Sequence, residues 1–179
     1  MLLFWRQGYS ATSLSQLLET MGIGRSSFYA AFCDKRSLYI EALQLFAGRT
    51  NAILSDVRSQ QDPTAAIRLF FEYTLFEVPE RRMRRGCMMV NTVLELADVD
   101  QGLSELAARL LGEIEAAFAQ CFEAAIECSR LPAGSDPAEL ARFIMTVNQG
   151  LRVASRKNTS KREIAGILDT TLSLMGVAA

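Results

Sequence analysis

The chain has 179 residues, half of them hydrophobic and only four of them proline, so it can bury a core and is too apolar to stay disordered. Its formal charge of −1 excludes a uniformly basic coat for nucleic acid. Histidine is absent, which excludes Ser-His-Asp and Cys-His nucleophile pairs and every His-based metal site; with no glycine-rich phosphate loop and no metal constellation, neither an enzyme nor a cofactor is expected.

The first thirty-five residues pack three short helix signals and two tight turns. After Phe4 to Tyr9, Ser13-Leu14-Ser15-Gln16 reads as a capping box that opens a helix with Leu14, Leu17, Leu18 and Met21 on its apolar side. Gly22 supplies the residue able to turn left-handed at its end. Arg25 to Phe32 form a second short helix, whose start offers exposed amides and a partial positive charge from Gly24 onward. Helical spacing puts Phe28 and Phe32 inward with Leu14 and Leu17, and Arg25, Ser26, Ser27 and Ala30 toward the other side. That layout suits a helix-turn-helix, which presents one helix to the major groove of DNA. An arginine at position 25 could pair bidentately with guanine.

Asp34 then caps a long helix from Lys35 to about Ser59. Asp62-Pro63 marks the next start, an N-cap followed by proline at the first helical position, and this helix stops before Pro79. Arg81-Arg82-Met83-Arg84-Arg85-Gly86 reads as a charged loop, and Cys87 to Ala97 as a helix. From Gln101 to Cys128 apolar residues recur at heptad-like spacing until Leu131-Pro132-Ala133-Gly134 breaks them. Asp136-Pro137-Ala138-Glu139 and the capping box Ser160-Lys161-Arg162-Glu163 open the last two helices, 137–156 and 161–176. The expectation is an all-α chain of nine helices, divided into a helix-turn-helix domain at 1–46 and a larger helical domain at 47–179.

Charge follows that division. Residues 1–49 hold Arg6, Arg25, Lys35, Arg36 and Arg49 against Glu19, Asp34 and Glu41, while the remainder holds 14 basic and 17 acidic residues. The four cysteines, Cys33, Cys87, Cys121 and Cys128, include no CxxC pair, and the last two lie roughly 10 Å apart along one helix, so reduced thiols are expected. No uncharged apolar run reaches about eighteen residues, and no basic stretch precedes an apolar segment at the N-terminus, so the expected location is the cytoplasm.

The larger part carries Phe71, Phe76, Met83, Met88, Phe118 and Phe122, aromatics and methionines that read either as plain core or as the lining of a pocket for an apolar or flat ligand. Asn91, Glu95, Asn148, Gln149 and Arg152 are polar residues within or beside apolar stripes, and any that is buried needs a partner. Cys87 follows Arg84-Arg85-Gly86 at a helix start, which reads either as a small buried apolar residue or as an activated thiol able to sense oxidants or electrophiles. The last two helices present broad apolar stripes suited to a four-helix seam with a second copy.

Taken as a set, Leu3-Phe4-Trp5-Arg6-Gln7-Gly8-Tyr9, Thr12-Ser13-Leu14, Met21-Gly22-Ile23, Ser27-Phe28-Tyr29, Phe32, Lys35 and Leu38 resemble the TetR/AcrR family of bacterial transcriptional repressors. The resemblance implies a homodimer through 137–156 and 161–176 whose larger domain binds a small molecule and so lowers affinity for a double-stranded operator. It implies that Arg25, Ser26 and Ser27, starting from Gly24, meet bases or backbone, that Tyr29 meets a phosphate, and that Thr12, Ser13 and Lys35 hold the DNA backbone. The implied effector residues are Phe71, Phe76, Met83, Cys87, Met88, Asn91, Phe118, Phe122, Asn148, Gln149 and Arg152. In the family the first helix usually begins further upstream, often behind a basic arm, so an upstream extension is expected to raise operator affinity. The rival readings are a thiol-based sensor acting through Cys87 and a helical interaction protein without DNA binding.

Overall fold

In a computed structural model that describes residues 1–60, 62–157 and 159–177, the chain forms α1 (Leu2–Gln7), α2 (Leu14–Met21), α3 (Arg25–Ala31), α4 (Lys35–Gln60), α5 (Pro63–Phe71), α6 (Glu80–Met83), α7 (Met88–Leu96), α8 (Gln101–Glu127), α9 (Pro137–Arg156) and α10 (Lys161–Leu174). Nine of these have six residues or more and α6 is a single turn; among the described residues there is no strand.

The helix starts follow from local chemistry. The Ser13 hydroxyl accepts from the Gln16 amide while the Gln16 side chain accepts from the Ser13 amide, and Ser160 and Glu163 repeat the arrangement at α10. Asp62 accepts from the Thr64 amide, and Asp136 from those of Ala138 and Glu139, with Pro63 and Pro137 at the first helical positions. Each cap satisfies donors that a helix start leaves without an intrahelical partner.

Two segments differ from expectation. The helix from Pro63 does not remain α-helical to Pro79: residues Glu72–Phe76 form a π turn, closed by the Glu77 amide on the Glu72 carbonyl at 2.8 Å. The stretch expected as a charged loop begins inside α6, which is stapled by an Arg84–Glu80 ion pair one turn apart.

The chain divides into two compact units, neither contiguous in sequence, whose boundaries fall within α4 and α8 and between Gly86 and Cys87. The first joins Met1–Gly48 with Cys87–Leu111. Phe4, Trp5, Leu17, Phe28, Tyr39, Leu43, Leu96 and Leu103 form its core, each at most 7% exposed. Tyr39 is its hub: its ring meets those of Phe4 and Tyr9 with centroids 4.8 Å away, and its hydroxyl shares a 2.7 Å hydrogen bond with Thr92 on α7. Arg36 on α4 forms a bidentate pair with Asp100, just before α8, at 2.8 and 3.1 Å.

The second unit joins Arg49–Gly86 with Gly112–Ala179. Its core contains Ile67, Phe70, Phe71, Leu75, Phe118, Phe122, Ile144 and Leu168, all at most 1% exposed. Phe70 stands edge-on to Phe118 at 5.0 Å. The Lys161 ammonium donates to the carbonyls of Phe76 and Val78, and the Ser155 hydroxyl to that of Met83, fastening the π turn and α6 to α10 and α9. No described helix is long and apolar enough to cross a membrane, and no three described side chains group as metal ligands.

Candidate nucleic-acid interface

Gly22 ends α2 with φ 65° and ψ 31°, the left-handed conformation in which a side chain would be strained. The Gly22 amide donates to the Glu19 carbonyl and the Ile23 amide to the Leu18 carbonyl, both at 3.2 Å, which closes the helix end and swings the chain into α3. Gly24 caps α3 with extended backbone and no side chain.

On α3 the inward residue is Phe28, fully buried, with ring contacts to Tyr29 at 5.4 Å and Phe32 at 5.5 Å. Arg25, Ser26, Ser27, Tyr29 and Ala30 are all exposed, Tyr29 by 53%. One short helix thus carries a single large anchor on one side and a guanidinium, two hydroxyls and a phenol on the other. Burial of Phe28 contributes about 1.5–3 kcal/mol toward holding that face outward.

The flanking residues divide. Ser13 is exposed; its oxygen accepts within the capping box and its O–H stays available to donate outward. Lys35 is half-buried at the start of α4, its ammonium 4.3 Å above the Tyr9 ring; burial lowers its pKa while the Glu95 carboxylate acts in the opposite direction. Thr12, also expected at the DNA backbone, is fully buried and its hydroxyl donates to the Gly8 carbonyl at 2.6 Å, within the turn before α2.

The expected effector residues fall in both units. In the first, Cys87 at the N-cap of α7 and Met88 are buried and Asn91 is half-buried. In the second, Phe71, Phe118, Phe122 and Met83 are core residues, Phe76 and Gln149 are half-buried, and Asn148 is 6% exposed. Arg152 donates to the Thr74 carbonyl at 2.8 Å, to the Thr74 hydroxyl at 2.7 Å and to Asn148 Oδ1 at 3.2 Å. The wide π turn is thereby tied to α9. Two clefts in this unit have different linings. One of about 350 Å³ is bordered by Ser55, Arg58, Ser59, Pro63, Cys121 and Ala124, and one of about 490 Å³ by Arg68, Arg130, Asp62 and Glu72 among others. Burial raises the Cys121 thiol to a pKa of about 11, and no disulfide joins any of the four cysteines.

Sequence reasoning missed the polar ties of the first unit. Glu95 was visible as an acid beside an apolar stripe, but its partners, the amides of Tyr9 and Ser10, lie 86 and 85 positions away. Arg36 and Asp100 carried no local signal at all.

An all-helical chain whose third helix anchors inward through one phenylalanine and shows Arg25, Ser26, Ser27 and Tyr29 outward, behind a left-handed glycine turn, is a helix-turn-helix regulator. Residues 1–42 match the family model described as bacterial regulatory proteins, tetR family, and residues 63–170 match that of the tetracyclin repressor-like C-terminal domain. The chain belongs to the TetR family.

It is 25% identical over 179 residues to the HTH-type transcriptional repressor ComR of Escherichia coli K12, covering 97% of this chain and 84% of that one. A cysteine-substituted form of the TetR family transcriptional regulator CifR, solved with a 26-base-pair operator duplex, is 27% identical with a TM-score of 0.83, covering 96% and 90% of the two chains. A TetR regulatory protein of Rhodobacter sphaeroides, 21% identical, has the same fold with a TM-score of 0.85 over 95% and 92%.

Proposed function

We propose that this chain is a dimeric transcriptional repressor that binds a palindromic operator through α2 and α3 and is released by a small apolar or aromatic molecule. The outward face of α3 carries the reading. Arg25 is the base reader, Ser26 and Ser27 contact bases or backbone beside it, Tyr29 donates to a phosphate, and Ser13, Gly24 and Lys35 border the same contact. The operator complex of the similar CifR and the repressor role of the similar ComR support this assignment. Residues 1–46 form the DNA-binding domain and 47–179 the regulatory and dimerisation domain, working in the cytoplasm where the operator lies.

Within the second unit, Phe71, Phe76, Met83, Phe118 and Phe122 supply apolar surface for the effector. Asn148, Gln149 and Arg152 supply its polar contacts. A ligand that takes the Arg152 donors from Thr74 would disturb the π turn, a kind of irregularity found frequently at functional sites. The dimer uses α9 and α10, where Phe143, Val153 and Ile167 are 49%, 43% and 47% exposed on the single chain. Two heads in a dimer would read half-sites about 34–36 Å apart.

The test is an electrophoretic shift on the DNA flanking the gene. Arg25→Ala should weaken specific binding by about 1–3 kcal/mol and relax the base preference at one position of each half-site. Unchanged affinity and preference would reject Arg25 as the reader.

A further inference from the structure

The Glu95 carboxylate on α7 is fully engaged by the turn between α1 and α2. Its Oε2 accepts from the Tyr9 amide at 3.0 Å and its Oε1 from the Ser10 amide at 2.7 Å. Hydrogen bonds to an ionised acceptor are the stronger kind, and here two successive backbone donors share one carboxylate.

The turn is shaped for that approach. Gly8 has φ +88°, and a Cβ placed there would lie 2.4 Å from Glu95 Oε2 and 3.0 Å from its Cδ. The backbone angle favours glycine, and a Cβ there would push the carboxylate off its amides. The Gly8 amide donates to the Phe4 carbonyl at 2.8 Å and the Thr12 hydroxyl closes on the Gly8 carbonyl, so the carboxylate grips a turn that is already defined on its other sides. Ser13, the cap that starts α2, comes next in the chain.

We propose that Glu95 is a positioning residue for DNA reading: it holds the Gly8–Ser10 turn, through it the start of α2 and the outward presentation of α3, so that the DNA-reading head is complete only with α7. The inference rests on the DNA-binding role assigned to α3. Glutamine has nearly the shape of glutamate but sets an NH2 donor against one of the two backbone donors. Glu95→Gln therefore breaks one of the two bonds and takes the charge from the other while keeping the packing.

The experiment uses the full chain and a duplex selected from a random-sequence library by the wild-type protein. Glu95→Gln should weaken binding to that duplex by roughly tenfold or more, with a much smaller effect on an unselected duplex. Amide exchange should quicken at Tyr9 and Ser10 and stay unchanged in α9 and α10. Gly8→Ala should act in the same direction, and adding it to Glu95→Gln should cost less than the two separate losses combined. Wild-type affinity in Glu95→Gln, or unchanged exchange at Tyr9 and Ser10, overturns the proposal. Exchange in the unmutated protein gives a reading independent of any variant. Protection of Tyr9 and Ser10 matching that of α7 supports the grip, and rates like those of open loop amides overturn it. A wild-type chain that enriches no duplex would instead remove the DNA-binding role, and the positioning role with it.

Discussion

Thr12 and Tyr39 show how single side chains in the first unit are committed inward. Because the Thr12 hydroxyl is buried and donates to Gly8, Thr12→Val should lower stability to urea unfolding by about 1–2 kcal/mol; an exposed threonine waiting for a phosphate would cost almost nothing to replace. Tyr39 is 1% exposed, and burial, opposed in part by its bond to Thr92, raises its pKa from 10 to about 12. Between those values the unfolded chain loses the phenolic proton and the folded chain keeps it. Stability therefore declines as pH rises from 10 toward 12 and is fully present below 10. In urea midpoints measured across that range, Tyr39→Phe should flatten the decline. The same variant should lower stability at neutral pH through loss of the Thr92 partner. A slope identical to wild type would show that Tyr39 does not carry the effect.

Among the helices, those with a side-chain cap start where the local chemistry demands. Asp136 accepts from two amides at the head of α9, so Asp136→Ala should cost about 1 kcal/mol, a fall of roughly 2–4 °C in the unfolding midpoint. Operator affinity should be unchanged in the folded fraction, since the cap belongs to the second unit and α2 and α3 to the first. The π turn belongs to a different class of feature. Thr74 donates to the Phe70 carbonyl at 2.7 Å, an ordinary helical habit, while Arg152, 78 positions later, donates to the Thr74 carbonyl itself. Nothing in the run Glu72-Tyr73-Thr74-Leu75-Phe76 announces a wider turn, because the group that meets its carbonyl is contributed by another helix. The single turn α6 is similar: four arginines in five positions look like solvated loop until Glu80 pairs with Arg84.

For the chain as an assembly, the exposed apolar side chains of α9 and α10 are the feature with most consequence. Phe143→Glu places a charge on that surface and should convert the proposed dimer to a monomer in sedimentation. Affinity for a two-half-site operator should fall by about tenfold or more, because two linked heads bind far better than one. A dimer that survives the substitution would move the interface elsewhere. The proposed domain boundary at 46/47 concerns function along the chain; the compact units cut differently, with Cys87–Leu111 joining Met1–Gly48.

Residues with local partners were legible in the amino-acid order alone. The capping boxes at Ser13 and Ser160, the proline starts at 63 and 137, the left-handed Gly22 and the inward Phe28 all depend on neighbours within a few positions, where helical geometry dictates who meets whom. The same locality makes the three-helix head and its outward Arg25, Ser26, Ser27 and Ala30 readable, while Tyr29 enters only through the family resemblance. What folding alone decided lies between segments far apart: Glu95 on the amides of Tyr9 and Ser10, Arg36 on Asp100, Arg152 on Thr74, and the joining of α7 to the head. A carboxylate or guanidinium finds its partner by proximity in space. Helical periodicity indicates which side of a helix such a group occupies and is silent about which distant backbone will be brought against it.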